Sequence, residues 1–455
     1  MFTNCKQSNS TTTNLPNNPN QNEQNTQLRF ELLAENTYNF LGKNYKAKTG
    51  KIISNDGSTP IYVEWLSNCQ SNCPTVVISN PYAGIDWSDD QQDKVWLSKP
   101  NSTGAFYADS EGPIVDLIDQ SLGKIFFQSQ TLNQTSSLGA IYLENNLSVL
   151  IVNNRFYRGR NLKIYIEEFK KSVKFFIENK YIDSSKMAFW GASLGGMIST
   201  YAALDTAYPP KALALITPLL DYKKFYAHSD SITSKVSDNT VKQAYLDFFA
   251  PYLRRIIDFS KGTPEQKPDV FALYDVNYIA NNLNSNVLMI HDTWDTLVPY
   301  QATIELYDLI KNKSHFTTNL VLHQHSSEII WNTFKLDHAQ ESEGYNNDNA
   351  NLFYPAFILN QLLSADQSKW IYYDYIKVAK MLVEFRAAEG RGQNISWLKS
   401  RFKDLCHENI RLYDTTMTIG EVSGRYFVQQ VMKNIWNFDK PENQICSELD
   451  HYFQN

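Results

Sequence analysis

A serine between glycines is the first residue of this sequence whose type and position could do chemistry. Ser193 is the centre of Gly191-Ala192-Ser193-Leu194-Gly195, which fits the pattern GxSxG. The apolar run MAFW precedes it and GGMISTYAAL follows it. This context predicts a strand, a sharp turn and a helix, with Gly191 and Gly195 allowing the strand and the helix to approach closely. Such a turn exposes a serine hydroxyl, and the helix N-terminus favours negative charge beside it.

An attacking serine also needs a base and an acid, and both occur later in the chain. Asp295 lies in HDTWDTLVP, just after the apolar run 287–290, where a carboxylate would project from the end of a strand. Asp292, which is closer to the strand end, is the competing acid. The base is predicted to be His338 in FKLDHAQES, with His325 in LHQHSSE as the alternative.

In this interpretation the three residues form a catalytic triad. His338 takes the proton of Ser193 and then delivers it to the leaving group, while Asp295 fixes the tautomer of the imidazole. The alternatives are purely structural roles. Ser193 would be a small residue in a tight connection, and Asp295 would be a turn or helix-capping residue.

The elements that must position these residues follow from the hydrophobic pattern. Short apolar runs typical of buried strands alternate with helical spacing, as in IYIEEFKKSVKFFIENKYI, and NDG between the first runs favours a hairpin. This alternation predicts an α/β protein with a mostly parallel central sheet flanked by helices. The predicted strands lie in YKAKTGKIIS, IYVEWLS, PTVVISN, NLSVLIVN, KMAFW, KALALI, NVLMI and TNLVLH.

Three parts of the chain are predicted. Residues 1–27 are a polar, disordered tail, and residues 28–365 are the catalytic domain. Within that domain the aromatic-rich stretch at about 221–275 is longer than a simple connection needs, so it is predicted to be a cap insertion. Residues 366–455 are predicted to be a helical C-terminal extension without a strand pair.

Composition excludes several classes of protein. The 455 residues are 42% hydrophobic and 20% charged, with a formal net charge of −6, which predicts a globular chain that does not bind nucleic acid. No apolar stretch approaches the roughly 20 residues that span a bilayer, so no transmembrane segment is predicted. No ligand cluster suggests a metal, and the mechanism requires no cofactor.

Four cysteines lie in two groups that could each form a disulfide. Cys69 and Cys73 are neighbours in SNCQSNCPT, and Cys406 and Cys446 both belong to the C-terminal region. Disulfides suit an oxidising compartment, so this interpretation favours an exported protein, periplasmic or secreted with its signal removed, over a cytoplasmic one. Free thiols in a cytosolic protein are the alternative.

The segments SNDGSTPIYVEWLS, PTVVISNPYAG, LIVNNRFYRGR, YIDSSKMAFWGASLGGM, HDTWDTLVPYQA and DHAQ, in this order, resemble the α/β-hydrolase superfamily. The chain is most similar to catalytic domains of the prolyl oligopeptidase and dipeptidyl peptidase type, over roughly residues 45 to 365. The resemblance implies an α/β-hydrolase fold, with Ser193, Asp295 and His338 as the triad. It also implies that the hydroxyl of Tyr82, in YAG, and the N–H of Leu194 hold the oxyanion.

Those relatives carry a β-propeller before the hydrolase domain, and here only a short tail and the first strands precede it. Peptidase specificity is therefore not transferred, and many propeller-free relatives are esterases. The prediction is a serine hydrolase that cleaves small-molecule or lipid carboxylic esters through an acyl-enzyme. The alternatives are a serine peptidase and a non-catalytic interaction protein. By composition alone, the aromatic cap suits an apolar acyl or aryl group.

Overall fold

A computed structural model of the protein describes the central sheet, most of the helices beside it and parts of the C-terminal extension. The predicted tail, residues 1–27, lies outside the described residues. These are residues 28–40, 43–54, 60–80, 94–96, 114–116, 142–143, 145–153, 162–204, 207–237, 239–292, 295–313, 315, 318–323, 357–363, 396–407, 409–413, 419–423, 425, 428–429 and 440–452.

One large sheet organises the described residues. Nine of their strands form it, in the order β1-β2-β3-β7-β4-β8-β9-β10-β11, while β5 and β6 form a separate ribbon. The strands are β1 Leu28–Phe40, β2 Lys43–Ser54, β3 Ile61–Leu66, β4 Cys73–Asn80, β5 Lys94–Trp96, β6 Ile114–Asp116, β7 Ser148–Asn153, β8 Ile182–Ala192, β9 Ala212–Ile216, β10 Asn286–Asp292 and β11 Thr318–His323.

The sheet changes from antiparallel to parallel along its width. Strands β1, β2, β3 and β7 pair antiparallel to one another, and from β7 through β4, β8, β9 and β10 to β11 every pairing is parallel. Parallel strands end at a common edge, so the carboxyl ends of β4, β8, β9 and β10 lie side by side. The predicted nucleophile and acid both follow strands of this group.

The labelled helices lie between β7 and β11 or after β11. Residues 357–362 are also helical. The labelled helices and their bounds are α1 Leu162–Glu178, α2 Leu194–Ala203, α3 Tyr222–Lys235, α4 Asn239–Ser260, α5 Pro268–Phe271, α6 Val276–Asn282, α7 Tyr300–Ile310, α8 Ser396–Leu405 and α9 Glu442–Tyr452, with a 3₁₀ turn at Ala272–Tyr274.

Helix α1 shows how the hydrophobic pattern builds the core. Its predicted apolar face is buried, and the ring of Phe169 lies edge-on to Phe189 of β8 with centroids 5.0 Å apart. Phe176 of the same face contacts Trp65 of β3, with centroids 5.1 Å apart. Burying each such side chain contributes about 1.5–3 kcal/mol. The helix is thereby fixed against the strand that leads to Ser193.

The α/β class and the parallel sheet are confirmed, and β2 and β3, the strands on either side of NDG in the sequence, pair antiparallel as a hairpin requires. The extension beyond residue 366 does contain helices α8 and α9, but the prediction that it lacks a strand pair was wrong. Strands β12 Asn409–Tyr413 and β13 Ile419–Ser423 pair antiparallel there. Five residues separate them, a spacing that suits a hairpin, and their mixed polarity hid the pattern.

Both predicted cysteine pairs are disulfide-bonded. Cys69 and Cys73 close a short loop before β4, with Cα atoms 5.9 Å apart. Cys406, directly after α8, is bonded to Cys446 in α9, with Cα atoms 6.2 Å apart. An ion pair between Lys403 and Asp450, 2.7 Å long, joins the same two helices.

Among the described helices, none is long and apolar enough to cross a membrane.

Candidate active site

Ser193 occupies a sharp turn between a strand and a helix. Strand β8 ends at Ala192 and helix α2 begins at Leu194, so Ser193 is the connection between them. Its backbone has φ 52° and ψ −121°, a left-handed conformation that residues other than glycine rarely adopt. Such strain persists only where the surroundings enforce it, and it is concentrated at functional sites. The predicted strand-turn-helix context is therefore present.

Close backbone contacts enforce this turn. A Cβ atom added at Gly191 would lie 2.2 Å from the carbonyl oxygen of Gly195, and one at Gly196 would lie 2.8 Å from Cβ of Pro218. Contacts this short do not occur, so both positions require glycine. The predicted close approach at Gly191 and Gly195 is present, and Gly196 adds a second close approach, to the segment after β9.

Hydrogen bonds tie Ser193 to the neighbouring strand. The Ser193 N–H donates to the carbonyl of Ile216 at the end of β9, at 2.9 Å. The Ser193 carbonyl accepts from the N–H of Leu219 and from that of Met197, at 3.2 Å each. The side chain retains 6% of its exposure. The turn is thus clamped between its own helix and residues 216–219.

Thr217 is a strained residue that sequence reasoning missed. It follows β9 with φ 41°, is fully buried, and its hydroxyl has no hydrogen-bond partner in the part of the chain that the structure describes. A β-branched residue with positive φ is an outlier, and this one lies beside the strained Ser193. Pro218 favours an extended backbone in the residue before it, so nothing in the sequence signals this conformation.

The predicted acid has a fixed carboxylate. Asp295 lies three residues after β10 and is 5% exposed. Its Oδ1 accepts hydrogen bonds from the N–H groups of Leu297 and Val298, at 2.9 and 2.8 Å. Its Oδ2 lies 3.2 Å from Nε2 of His291. The competing Asp292 is the last residue of β10, and its side chain is outside the described part.

His291 is the second residue that sequence reasoning missed. It lies in β10 and is fully buried. Its Nδ1 is 2.7 Å from Oγ1 of Thr303 in α7, and its Nε2 is 3.3 Å from the carbonyl oxygen of Val298 as well as close to Asp295. A histidine four residues before the acid in HDTWD was the signal that could have found it.

Sheet geometry brings the serine and the acid to one edge. Ala192 of β8 is paired with Ile216 of β9, which is paired with Ile290 of β10, and the Thr217 N–H donates to the Ile290 carbonyl at 2.7 Å. Because adjacent strands lie about 4.8 Å apart, the backbones of Ser193 and His291 are separated by roughly 10 Å. A histidine between serine and acid fits a span of this size.

Helix α2 supplies one predicted oxyanion donor. Leu194 is its first residue, and the first N–H groups of a helix form the positive end of its dipole. Tyr82, His338 and His325 lie outside the described residues. Strand β4, which ends two residues before Tyr82, is the parallel neighbour of β8.

The predicted cap insertion, at about 221–275, contains helices α3, α4 and α5, and α6 follows it before β10. Its aromatic side chains are largely buried against one another, as Tyr222 and Tyr274 stack at 5.1 Å and Phe225 and Phe249 meet at 5.5 Å. The Tyr222 hydroxyl contacts Sδ of Met197 in α2 at 2.9 Å. These aromatic residues therefore pack the insertion against the nucleophile helix, and composition alone does not make them an acyl pocket.

His228 links the insertion to residues 295–298, which contain the predicted acid and are called the acid loop below. Its Nε2 lies 3.0 Å from the carbonyl oxygen of Thr296, and the ring is edge-on to Phe249 at 6.3 Å. Burial lowers the pKa of His228, while the Thr296 carbonyl and the charge of Asp295 oppose this in part. Lys235 and His291 add to the lowering. His228 is thus neutral when the folded protein is at neutral pH.

We expect this histidine to make stability depend on pH. Because the folded pKa lies below the unfolded value near 6.5, the unfolded chain binds more protons as pH falls below that value, and the free energy of unfolding decreases until the folded pKa is passed. His228→Gln keeps an N–H donor for Thr296 and should weaken this dependence in urea titrations between pH 8 and 5. Exposed His407→Gln should keep the wild-type dependence, and an unchanged dependence in His228→Gln would contradict the prediction.

Comparison with known proteins bears on this site. The model of the prolyl oligopeptidase family, Peptidase_S9, matches residues 154–254, which include Ser193. No curated protein sequence matches the chain. Similar solved structures include a candidate dipeptidyl aminopeptidase IV from Bacteroides ovatus (16% identity, 65% of this chain, 34% of that chain, TM-score 0.39) and an acetyl xylan esterase from Paenibacillus sp. R4 (14%, 66%, 84%, 0.38). An acylaminoacyl peptidase from Pyrococcus horikoshii is another (10%, 76%, 44%, 0.40).

The chain spans about a third of the Bacteroides ovatus protein and under half of the Pyrococcus horikoshii peptidase. The family match agrees with the predicted resemblance over residues 154–254, and the strand order confirms the predicted α/β class with a mostly parallel sheet.

Proposed function

We propose that this chain, a serine hydrolase with an α/β-hydrolase fold, cleaves carboxylic esters through an acyl-enzyme intermediate on Ser193. The observation that supports this most is the left-handed turn at Ser193 on the carboxyl edge of the parallel sheet. A buried, hydrogen-bonded carboxylate, Asp295, follows the second strand along that edge. A serine in a merely tight connection needs neither the strain nor the carboxylate.

In the first half of the reaction Oγ of Ser193 attacks the carbonyl carbon of the ester. His338 takes the serine proton as the new C–O bond forms, and it then gives that proton to the departing alcohol oxygen. Asp295 accepts the Nδ1–H of His338 and stabilises the imidazolium. The Oδ1 bonds to Leu297 and Val298 hold the carboxylate, and Oδ2 can accept from more than one donor.

The negative oxygen of the tetrahedral intermediate requires donors that are already in place. We assign the N–H of Leu194, at the positive end of helix α2, and the hydroxyl of Tyr82 to this role. Loss of one such donor costs about 100- to 1,000-fold in kcat. In the second half of the reaction, water, deprotonated by His338, attacks the acyl carbonyl, and the protonated histidine returns its proton to Ser193 Oγ as the acid is released.

Esters are the proposed substrates because an alkoxide is less basic than an amine anion, so an ester depends less than an amide on protonation of its leaving group. The proposal is tested with pairs of p-nitrophenyl esters and p-nitroanilides that share an acyl group, from acetyl to palmitoyl. We expect kcat/KM to be higher for the ester in every pair. The acyl length that gives the maximum distinguishes a small-molecule ester from a lipid ester. Faster cleavage of the anilides would overturn the ester assignment.

A serine peptidase is the second candidate, and the match to the prolyl oligopeptidase family favours it. Peptide p-nitroanilides with free and blocked amino termini belong in the same panel. A non-catalytic interaction protein is the third candidate. A fluorophosphonate probe separates it from both enzymes, because an activated serine is labelled irreversibly. Well-folded wild-type protein that resists the probe would remove the enzyme proposals.

The base is assigned by comparing two histidine variants. We expect His338→Ala to lower kcat by about 10,000-fold or more, because removing one triad member disables the others. His325→Ala should retain activity within a few-fold. Circular dichroism and melting temperature establish that both variants fold. The reverse pattern of activities would move the role of the base to His325.

A further inference from the structure

We infer that His291 is a positioning residue, which holds the carboxylate of Asp295 from inside the protein and is itself held by Thr303. This inference rests on the proposed role of Asp295 as the acid of the triad. The three side chains form a chain of contacts, with 2.7 Å from Thr303 Oγ1 to His291 Nδ1 and 3.2 Å from His291 Nε2 to Asp295 Oδ2. His291 and Thr303 are fully buried, and Asp295 is nearly so.

The contacts of the ring determine where its proton lies. Nε2 of His291 faces two acceptors, Oδ2 of Asp295 and the carbonyl oxygen of Val298, so this nitrogen carries the hydrogen. Nδ1 faces the hydroxyl of Thr303, which can donate to it. The imidazole is then neutral, with both nitrogens satisfied. The hydroxyl of Thr303, which can donate or accept, is compatible with the tautomer whose N–H points at the acid.

A neutral ring matters for the electrostatics of the triad. If His291 carried a positive charge, it would neutralise Asp295 and leave less negative charge to stabilise the imidazolium of His338. A neutral donor orients the carboxylate without cancelling its charge. Among the described residues, the imidazole of His228 and the ring of Tyr300, whose centroid lies 6.5 Å from that of His291, are also near it.

The contact with His291 also restrains the orientation of the Asp295 carboxylate, in addition to the backbone hydrogen bonds. The N–H groups of Leu297 and Val298 both bind Oδ1 of Asp295. Rotation about the Cβ–Cγ bond of an aspartate is broad, and contacts at both oxygens of the planar carboxylate restrain it more than contacts at one oxygen do. Nε2 of His291 lies 3.2 Å from Oδ2 and adds a contact at the second oxygen. The acid loop is in this way tied to strand β10 through His291 and to helix α7 through Thr303.

The inference is tested with substitutions at Thr303 and His291. Thr303→Val removes the hydroxyl at nearly constant shape, Thr303→Ser keeps it, and His291→Phe removes both ring contacts. Thr233→Val, which removes another buried threonine hydroxyl in α3, is the matched control. The readouts are kcat and KM for p-nitrophenyl butyrate, the rate of fluorophosphonate labelling between pH 5 and 9, and the melting temperature.

We expect Thr303→Val and His291→Phe to lower kcat about 10- to 100-fold with little change in KM, as loss of outer-shell support does elsewhere. The acidic limb of the pH profile should move to lower pH, because a misplaced Asp295 stabilises the His338 imidazolium less. Thr303→Ser and Thr233→Val should keep wild-type kcat and the wild-type limb. If His291→Phe does not fold, the comparison of Thr303→Val with Thr303→Ser decides alone.

Two other outcomes separate this inference from the proposed function. If Asp295→Asn destroys activity but Thr303→Val leaves kcat and the limb unchanged, His291 does not position the acid and the inference is overturned. If Asp295→Asn itself remains active, the proposed acid is wrong, whatever the Thr303 variants do. A lower melting temperature of Thr303→Val with an unchanged limb would show a purely structural contact, which also overturns the inference.

Discussion

Protein carrying Ser193→Ala is expected to hydrolyse esters at no more than about one ten-thousandth of the wild-type rate, because loss of the nucleophile leaves only the oxyanion donors and substrate binding. It should also fail to react with a fluorophosphonate probe. The measurements are kcat/KM with p-nitrophenyl esters and covalent labelling followed by mass spectrometry, which should locate the adduct on Ser193 of the wild type.

The matched control is Ser199→Ala in the same helix. The Ser199 hydroxyl is buried and donates to the carbonyl of Trp190 at 3.1 Å, so its loss tests the effect of a small packing change beside the turn. We expect this variant to be labelled and to hydrolyse esters within a few-fold of the wild-type rate. Labelling of Ser193→Ala at wild-type speed would mean that another residue is the nucleophile.

For Asp295→Asn we expect kcat to fall by about 10,000-fold, the size seen when the acid of a Ser-His-Asp triad loses its charge. The asparagine carbonyl can still accept from the N–H groups of Leu297 and Val298. Its amide group then faces the Nε2–H of His291 and the N–H of His338, so donors meet donors and the base is held in the wrong tautomer. Steady-state kinetics at pH 8 measure the loss.

Asp292→Asn serves as the control for this substitution, since Asp292 is the competing acid at the end of β10. We expect its activity to stay within a few-fold of the wild type. Full activity of Asp295→Asn combined with a large loss in Asp292→Asn would exchange the two roles. Melting temperatures of both variants show whether the acid loop remains folded.

The sheet could be predicted because its central strands are buried on both faces. Strands β4, β7 and β9 are nearly continuous apolar runs, so each stands out from the polar segments around it. Strand β1 is different, because it lies at the sheet edge. Its charged residues form surface ion pairs, such as Glu35 with Lys46, and Leu32 is half exposed. A strand with this mixture has no clear pattern, and sequence reasoning did not single it out.

The residues of the candidate site also differ in how well the sequence predicts them. Ser193 and Asp295 could be predicted because each is marked by its immediate neighbours in the chain. Thr303 could not, since its contact with His291 depends on the packing of α7 against β10, which only the folded chain creates. The left-handed backbone of Thr217 is equally invisible in sequence, because local preference opposes it and hydrogen bonds between strands enforce it.

The bond between Cys406 and Cys446 has a consequence for how the chain tolerates cutting. These residues are 40 positions apart and join the end of α8 to α9. A protease that cleaves the chain once between them produces two polypeptides, but these remain joined because the disulfide keeps α9 covalently attached. Such a nicked protein migrates as a single species on a non-reducing gel and releases its C-terminal fragment only after reduction. The crosslink thus keeps the extension whole through proteolytic damage.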